Sequence, residues 1–139
     1  MNQRSVLLIG LSLLVAAAVG AACRRADHTT NMIELQRLKS GALDVVLLSR
    51  NDALRRGKDT FIIEFRSDGT LVDVGSVRAT ANMPMPGMPM FGSIEVQPTN
   101  VRGRYTANSD FGMAGTWRIT MEWDGPPGRG SVTFLGSVQ

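Results

Sequence analysis

Short runs in which apolar and polar residues alternate, turns rich in Gly, Pro, Asn and Asp between them, and no internal repeat together predict an all-β chain. The architecture this implies is an antiparallel β-sandwich, immunoglobulin-like, of about seven strands. A small barrel satisfies the same periodicity, which does not separate the two. At 139 residues, 43% hydrophobic and 19% charged, the chain is sized and composed for one globular domain.

The amino terminus is different in kind. One basic residue, Arg4, precedes a charge-free run from Val6 to Ala22 that ends in small residues before Cys23. This pattern predicts a signal peptide over residues 1–22, of lipoprotein type, with Cys23 as the lipidated residue. Gly20 stands where such a signal usually has Leu or Val, so two alternatives stay open: cleavage after Ala22 to release the domain, or an uncleaved membrane anchor. Each places the domain outside the cytoplasm, and the first and last tether it to a membrane. Cys23 is the sole cysteine, so no intramolecular disulfide forms. Residues 23–39 read as a polar tether, with a helical turn around Glu34–Leu38 and the sole histidine, His28, within it. Residues 40–139 form the domain.

Within that domain, Leu43, Val45 and Leu47 alternate with Val46 and Leu48, so both faces of the strand over Ala42–Ser49 are apolar. Thr60–Arg66 sets Phe61, Ile63 and Phe65 on one face and Ile62, Glu64 and Arg66 on the other. Ser67–Thr70 turns the chain. From Leu71 to Ala81 the phase slips at Gly75-Ser76, which reads as a β-bulge. Short strands follow at Ser93–Gln97 and Arg102–Ala107, then a loop over Asn108–Gly112. The clearest strand is Thr116–Asp124, where Trp117, Ile119, Met121 and Trp123 alternate strictly with polar residues, marking Met121 as core. Ser131–Val138 closes the domain. Phe91, Tyr105 and Phe111 read as core, and the acidic residues as a solvated surface.

One stretch does not fit a sandwich strand. In Met83-Pro84-Met85-Pro86-Gly87-Met88-Pro89-Met90, four of eight methionines fall within eight residues. The three prolines remove backbone donors and forbid helix and central strand alike, so these thioethers sit on a loop. Soft, neutral sulfur suits Cu(I) and Ag(I) and needs no deprotonation to bind. If Gly87 turns the chain, Met83/Met85 and Met88/Met90 converge as a clasp, and Met113, ahead of the Trp117 strand, is a fifth candidate.

Gly57-Lys58-Asp59-Thr60-Phe61, Met83-Pro84-Met85, Gly103-Arg104-Tyr105 and above all Phe111-Gly112-Met113-Ala114-Gly115-Thr116-Trp117-Arg118-Ile119 resemble the YtkA-like and FixH-like extracytoplasmic domains. The resemblance implies a small immunoglobulin-like sandwich, found as a lipoprotein, a membrane-anchored oxidase-assembly factor or a module of metal-efflux adaptors, and associated with copper. Where those families commonly carry Gly-His after the Met-Pro segment, this chain has Gly87-Met88, so any metal site here is thioether-only.

The sequence therefore predicts a non-enzymatic, exported, membrane-tethered protein binding Cu(I) through Met83, Met85, Met88, Met90 and Met113, in copper delivery, storage or resistance. The alternative is an interaction module whose Met-Pro loop docks onto an envelope complex for oxidase assembly or metal efflux. No triad, second histidine or phosphate-binding glycine motif supports an enzyme. The net charge of +3 is scattered, and with the export signal it disfavours nucleic acid.

Overall fold

The computed structural model describes residues 31–139; Cys23 and His28 lie outside the described residues. Nine strands are present: β1 (Ile33–Ser40), β2 (Leu43–Ser49), β3 (Gly57–Ser67), β4 (Thr70–Leu71), β5 (Ser76–Met83), β6 (Met90–Pro98), β7 (Arg104–Phe111), β8 (Gly115–Gly125) and β9 (Gly128–Val138). All pairings between them are antiparallel, in the order β1-β2-β3-β7-β6-β5-β8-β9 with β4 beside β3. The predicted all-β sandwich is present, with nine strands rather than about seven. Among the described residues no helix is long and apolar enough to cross a membrane.

The two sheets share β6. Its first residues, Met90–Gly92, pair with β5 in the second sheet; Ser93–Pro98 pair with β7 in the first. Between the sheets lie Phe61, Ile63, Phe65, Tyr105, Phe111, Trp117, Ile119, Met121, Trp123 and Phe134, all buried. Phe65 meets Tyr105 and Trp123 edge-on, with ring centroids 5.6 and 5.1 Å apart. Met121 is core, as its phase requires.

Four local readings of the sequence are corrected. The stretch taken as tether contains β1, which begins at Ile33. Leu35 and Leu38 both pack on the core although they are three residues apart, because a register shift between Glu34 and Gln36 inserts a residue. That bulge turns a strand into what looks like helical spacing. The phase slip at Gly75-Ser76 is no bulge but the point where the chain leaves the first sheet, through β4, and enters the second as β5. Asn108–Phe111, read as loop, continues β7 against β3 and β6. Asn108 and Asp110 face outward, Thr60 Oγ1 donating to Asn108 Oδ1 at 3.0 Å, while Ser109 is buried and donates its hydroxyl to the Asp59 carbonyl at 3.2 Å.

The crossover at Gly75 is close-fitting. Gly75 has φ +78°, and a β-carbon on it would lie 2.6 Å from the carbonyl oxygen of Asp124. Tyr105 on β7 donates its hydroxyl to the Gly75 carbonyl at 2.8 Å, tying the first sheet to the crossover. Burial, reinforced by the nearby charge of Asp73, holds the Tyr105 phenol above its ordinary value.

Glu64 corrects the fourth reading. It faces outward from β3, yet only 1% of it is exposed. Its neighbours across the strands are Val46 and Arg104. Arg104 Nε donates to Oε1 at 3.0 Å and Arg66 Nε to Oε2 at 2.7 Å, so the carboxylate is satisfied on both oxygens.

Two outcomes are expected. Glu64→Gln leaves two arginines facing a neutral group and costs about 3–5 kcal/mol, the range for breaking a buried pair, whereas Glu95→Gln, on the exposed face of β6, stays within about 0.5 kcal/mol; urea midpoints of the two variants check this. Tyr105→Phe costs about 1 kcal/mol near neutral pH. Because the folded phenol keeps its proton better than the unfolded one, native stability falls as pH rises past about 10. In the Phe variant that part of the decline disappears from unfolding curves collected between pH 8 and 11.

Candidate functional site: the methionine hairpin

The methionine run forms the connection of the β5–β6 hairpin. Ala81 pairs with Gly92, Asn82 with Phe91, and Met83 with Met90. Met-Pro-Met-Pro-Gly-Met-Pro-Met is palindromic about Pro86-Gly87, so continuing this register sets Pro84 opposite Pro89 and Met85 opposite Met88. The proline pair has no N–H on either side, which ends the ladder at Met83–Met90. Pro86 fixes its own φ, and Gly87 at φ +83° turns the chain, the backbone demanded of the second central residue of a type II turn. The predicted turn at Gly87 is present, in a hairpin whose last paired residues are Met83 and Met90.

The pairs differ in burial. Met83 belongs to the core at 8% exposure, and Met90 packs against it half-buried. Met85 (38%) and Met88 (73%) stand in solvent. Directly opposed residues of an antiparallel pair carry side chains on one face, with β-carbons roughly 4.5–5.5 Å apart, and Met83 and Met90 are such a pair.

Met113 enters from the β7–β8 loop, Gly112–Ala114, and is 37% exposed. One hydrogen bond holds this loop to β8, and two close approaches lay it against the hairpin. The Trp117 indole N–H donates to the Met113 carbonyl at 3.0 Å. A β-carbon on Gly115, whose φ is +136°, would lie 2.8 Å from the Met83 methyl and 3.7 Å from its sulfur; one on Gly112 would lie 3.3 Å from the Met90 methyl. The Met113-Ala114-Gly115-x-Trp117 motif is therefore a docking unit: Trp117 fixes the loop, and Gly115 leaves room for Met83. Phe111 and Trp117 pack behind it with centroids 5.1 Å apart and ring planes tilted by 53°.

The β5–β6 hairpin and the β7–β8 loop, which carry the five predicted methionines, thus share one end of the sandwich. Phe91 is corrected. Read as core, it is 76% exposed, because it pairs with Asn82 on the outer face of the second sheet. Tyr105 and Phe111 are core as expected. Among the described residues no group of three His, Cys, Asp or Glu side chains is placed to hold a metal ion; the donors at this end are thioethers. A groove on the outer face of the first sheet, lined by Lys58, Asp59, Thr60, Glu95 and Arg104, contains none of the five methionines.

An antiparallel sandwich with a thioether-rich hairpin docked on a Met-Ala-Gly-x-Trp loop defines a class of small all-β domains. A family model described as YtkA-like matches residues 37–122, more than half of the chain, and the protein belongs to the YtkA-like family. The match spans the methionine hairpin and the Trp117 motif but stops within β8. Comparison with curated proteins and with solved structures returned no match.

The burial difference separates packing from surface. Met83→Ala is expected to cost about 2–5 kcal/mol by emptying a core position, and Met88→Ala no more than about 0.5 kcal/mol. Denaturant midpoints of the two single variants check the contrast.

Proposed function

We propose that this extracytoplasmic domain binds Cu(I) through the thioethers of Met83, Met90 and Met113 with Met85 and Met88 closing over them, and serves copper delivery, storage or resistance. The observation that carries the reading is the register of the β5–β6 hairpin, which pairs Met83 with Met90 and lays both against the loop that holds Met113. Membership in the YtkA-like family supports an extracytoplasmic domain, and the signal-like segment at residues 1–22 agrees with it.

The chemistry follows from the donors. Three neutral sulfurs suffice for a trigonal Cu(I) site, and sulfur selects Cu(I) and Ag(I) over Zn(II), which favours imidazole or thiolate. Thioethers compete with no proton, so affinity stays level across mildly acidic and neutral pH. Prolines on both arms of the hairpin restrict the open loop before the ion arrives, reducing the ordering cost of binding.

Anaerobic titration with Cu(I) against a chromophoric chelator tests this. One tightly held equivalent is expected, with affinity unchanged between pH 5.5 and 7.5. Replacing Met90 and Met113 by Leu, which keeps volume and apolarity, is expected to weaken binding about tenfold or more, 1.4 kcal/mol. Equal competition by the native and the Leu-substituted chains overturns the reading.

A further inference from the structure

The methionine end of the sandwich carries more exposed apolar surface than a metal site needs. Met85, Met88 and Phe91 project there, with Ile33 at the start of β1 also exposed. The strand registers fix which elements share this end. Ile33 pairs with Ser49, Gly57 with Phe111, Gly115 with Val138 and Met83 with Met90. The start of β1, the β2–β3 loop, the β5–β6 hairpin and the β7–β8 loop therefore lie together. The turns at Asp68-Gly69 and Pro126-Pro127 lie at the opposite end.

The β2–β3 loop supplies the charge. Arg50, Arg55 and Arg56 in the loop and Lys58 at the start of β3 are exposed, against Asp52, Asp59 and Asp110, the last opposite Lys58. The Asp59 carboxylate accepts from the backbone N–H groups of Arg55 and Thr60 at 2.9 and 2.8 Å, so it is turned back on its own loop. Leu54 and Arg56 are tied to the carboxyl-terminal residues Ser137 and Gln139 by backbone hydrogen bonds of 2.8–3.1 Å, fixing the loop in place. A proline-stiffened apolar tip beside a fixed basic loop is the footprint of a surface that meets anionic lipid.

From these observations we infer that this end of the domain lies against an anionic lipid bilayer, with Met85, Met88 and Phe91 entering the interfacial layer and Arg50, Arg55, Arg56 and Lys58 facing the headgroups. Chain length agrees. The apolar run ends at Ala22, and ten residues, Cys23–Met32, connect it to β1. Fully extended they reach roughly 33–36 Å, and an eleven-residue strand such as β8 is itself about 36 Å long. Chain entering at the methionine end presents that end to the membrane with slack; presenting the far end would use the whole connection. This proposal stands independently of metal binding.

The full chain reconstituted without metal, in vesicles of phosphatidylcholine and phosphatidylglycerol carrying brominated acyl chains, provides the test. Met88→Trp places a reporter on the tip and Pro127→Trp one on the opposite end; the buried Trp117 and Trp123 form a common background. The Met88→Trp emission is expected to shift to the blue and to lose most of its added intensity to the bromines, and the Pro127→Trp emission to do neither. Adding Arg55→Glu and Arg56→Glu, or omitting phosphatidylglycerol, is expected to reduce the quenching. Equal quenching of the two reporters, no quenching of the tip, or quenching indifferent to both charge changes overturns the proposal. The Cu(I) titration is unaffected by any of these outcomes.

Discussion

The backbone of Val74 and Gly75 lies directly against that of Asp124 and Gly125, and the rest of the sandwich depends on this approach. It is here that the chain leaves the edge of the first sheet and becomes a strand of the second. Without a side chain at Gly75 the two backbones close; with one they cannot. Val74 is fully buried at the corner, and the Tyr105 hydroxyl satisfies the carbonyl that the crossing exposes. Once β5 is set down beside β8, its far end at Met83 is fixed, and with it the position of the methionine hairpin.

That hairpin shows how a site can be assembled from packing. Prolines stop the ladder after Met83–Met90, leaving a loop whose methionines extend past the sheets. Trp117 and Gly115 then bring the β7–β8 loop against the floor of the hairpin. The same residues serve core and candidate site: Met83 fills the end of the core and pairs with Met90, while Met85 and Met88 stand in solvent. Under the proposed reading, the packed pair is the floor of the site and the exposed pair its cover.

Much of this was legible in one dimension. Strict alternation over Trp117–Trp123 placed β8 and buried Met121, because a period of two on one buried face has no other solution. Gly87, between Met83/Met85 and Met88/Met90, pointed to a turn within the methionine run. Other residues were misleading for identifiable reasons. The bulge in β1 mimicked helical spacing at Leu35 and Leu38, a change of sheet mimicked a bulge at Gly75, and Glu64 looked solvated because its phase was outward. Its arginine partners come from β3 and β7, forty residues apart in the case of Arg104, and nothing local encodes that meeting. Phe91 looked like core because its ring is apolar, although its register places it outward.

The sequence by itself determined the all-β class, the phases of the central strands and the donor chemistry of the hairpin, since these follow from side-chain period and sulfur alone. Only the tertiary structure decided that Met113 lies against the methionine hairpin, that Glu64 is buried between arginines, and that the basic β2–β3 loop shares an end with the apolar tip. Each of these is a contact between segments distant in the chain. Such contacts are set by sheet register and by where the chain changes sheets, quantities that local composition does not carry.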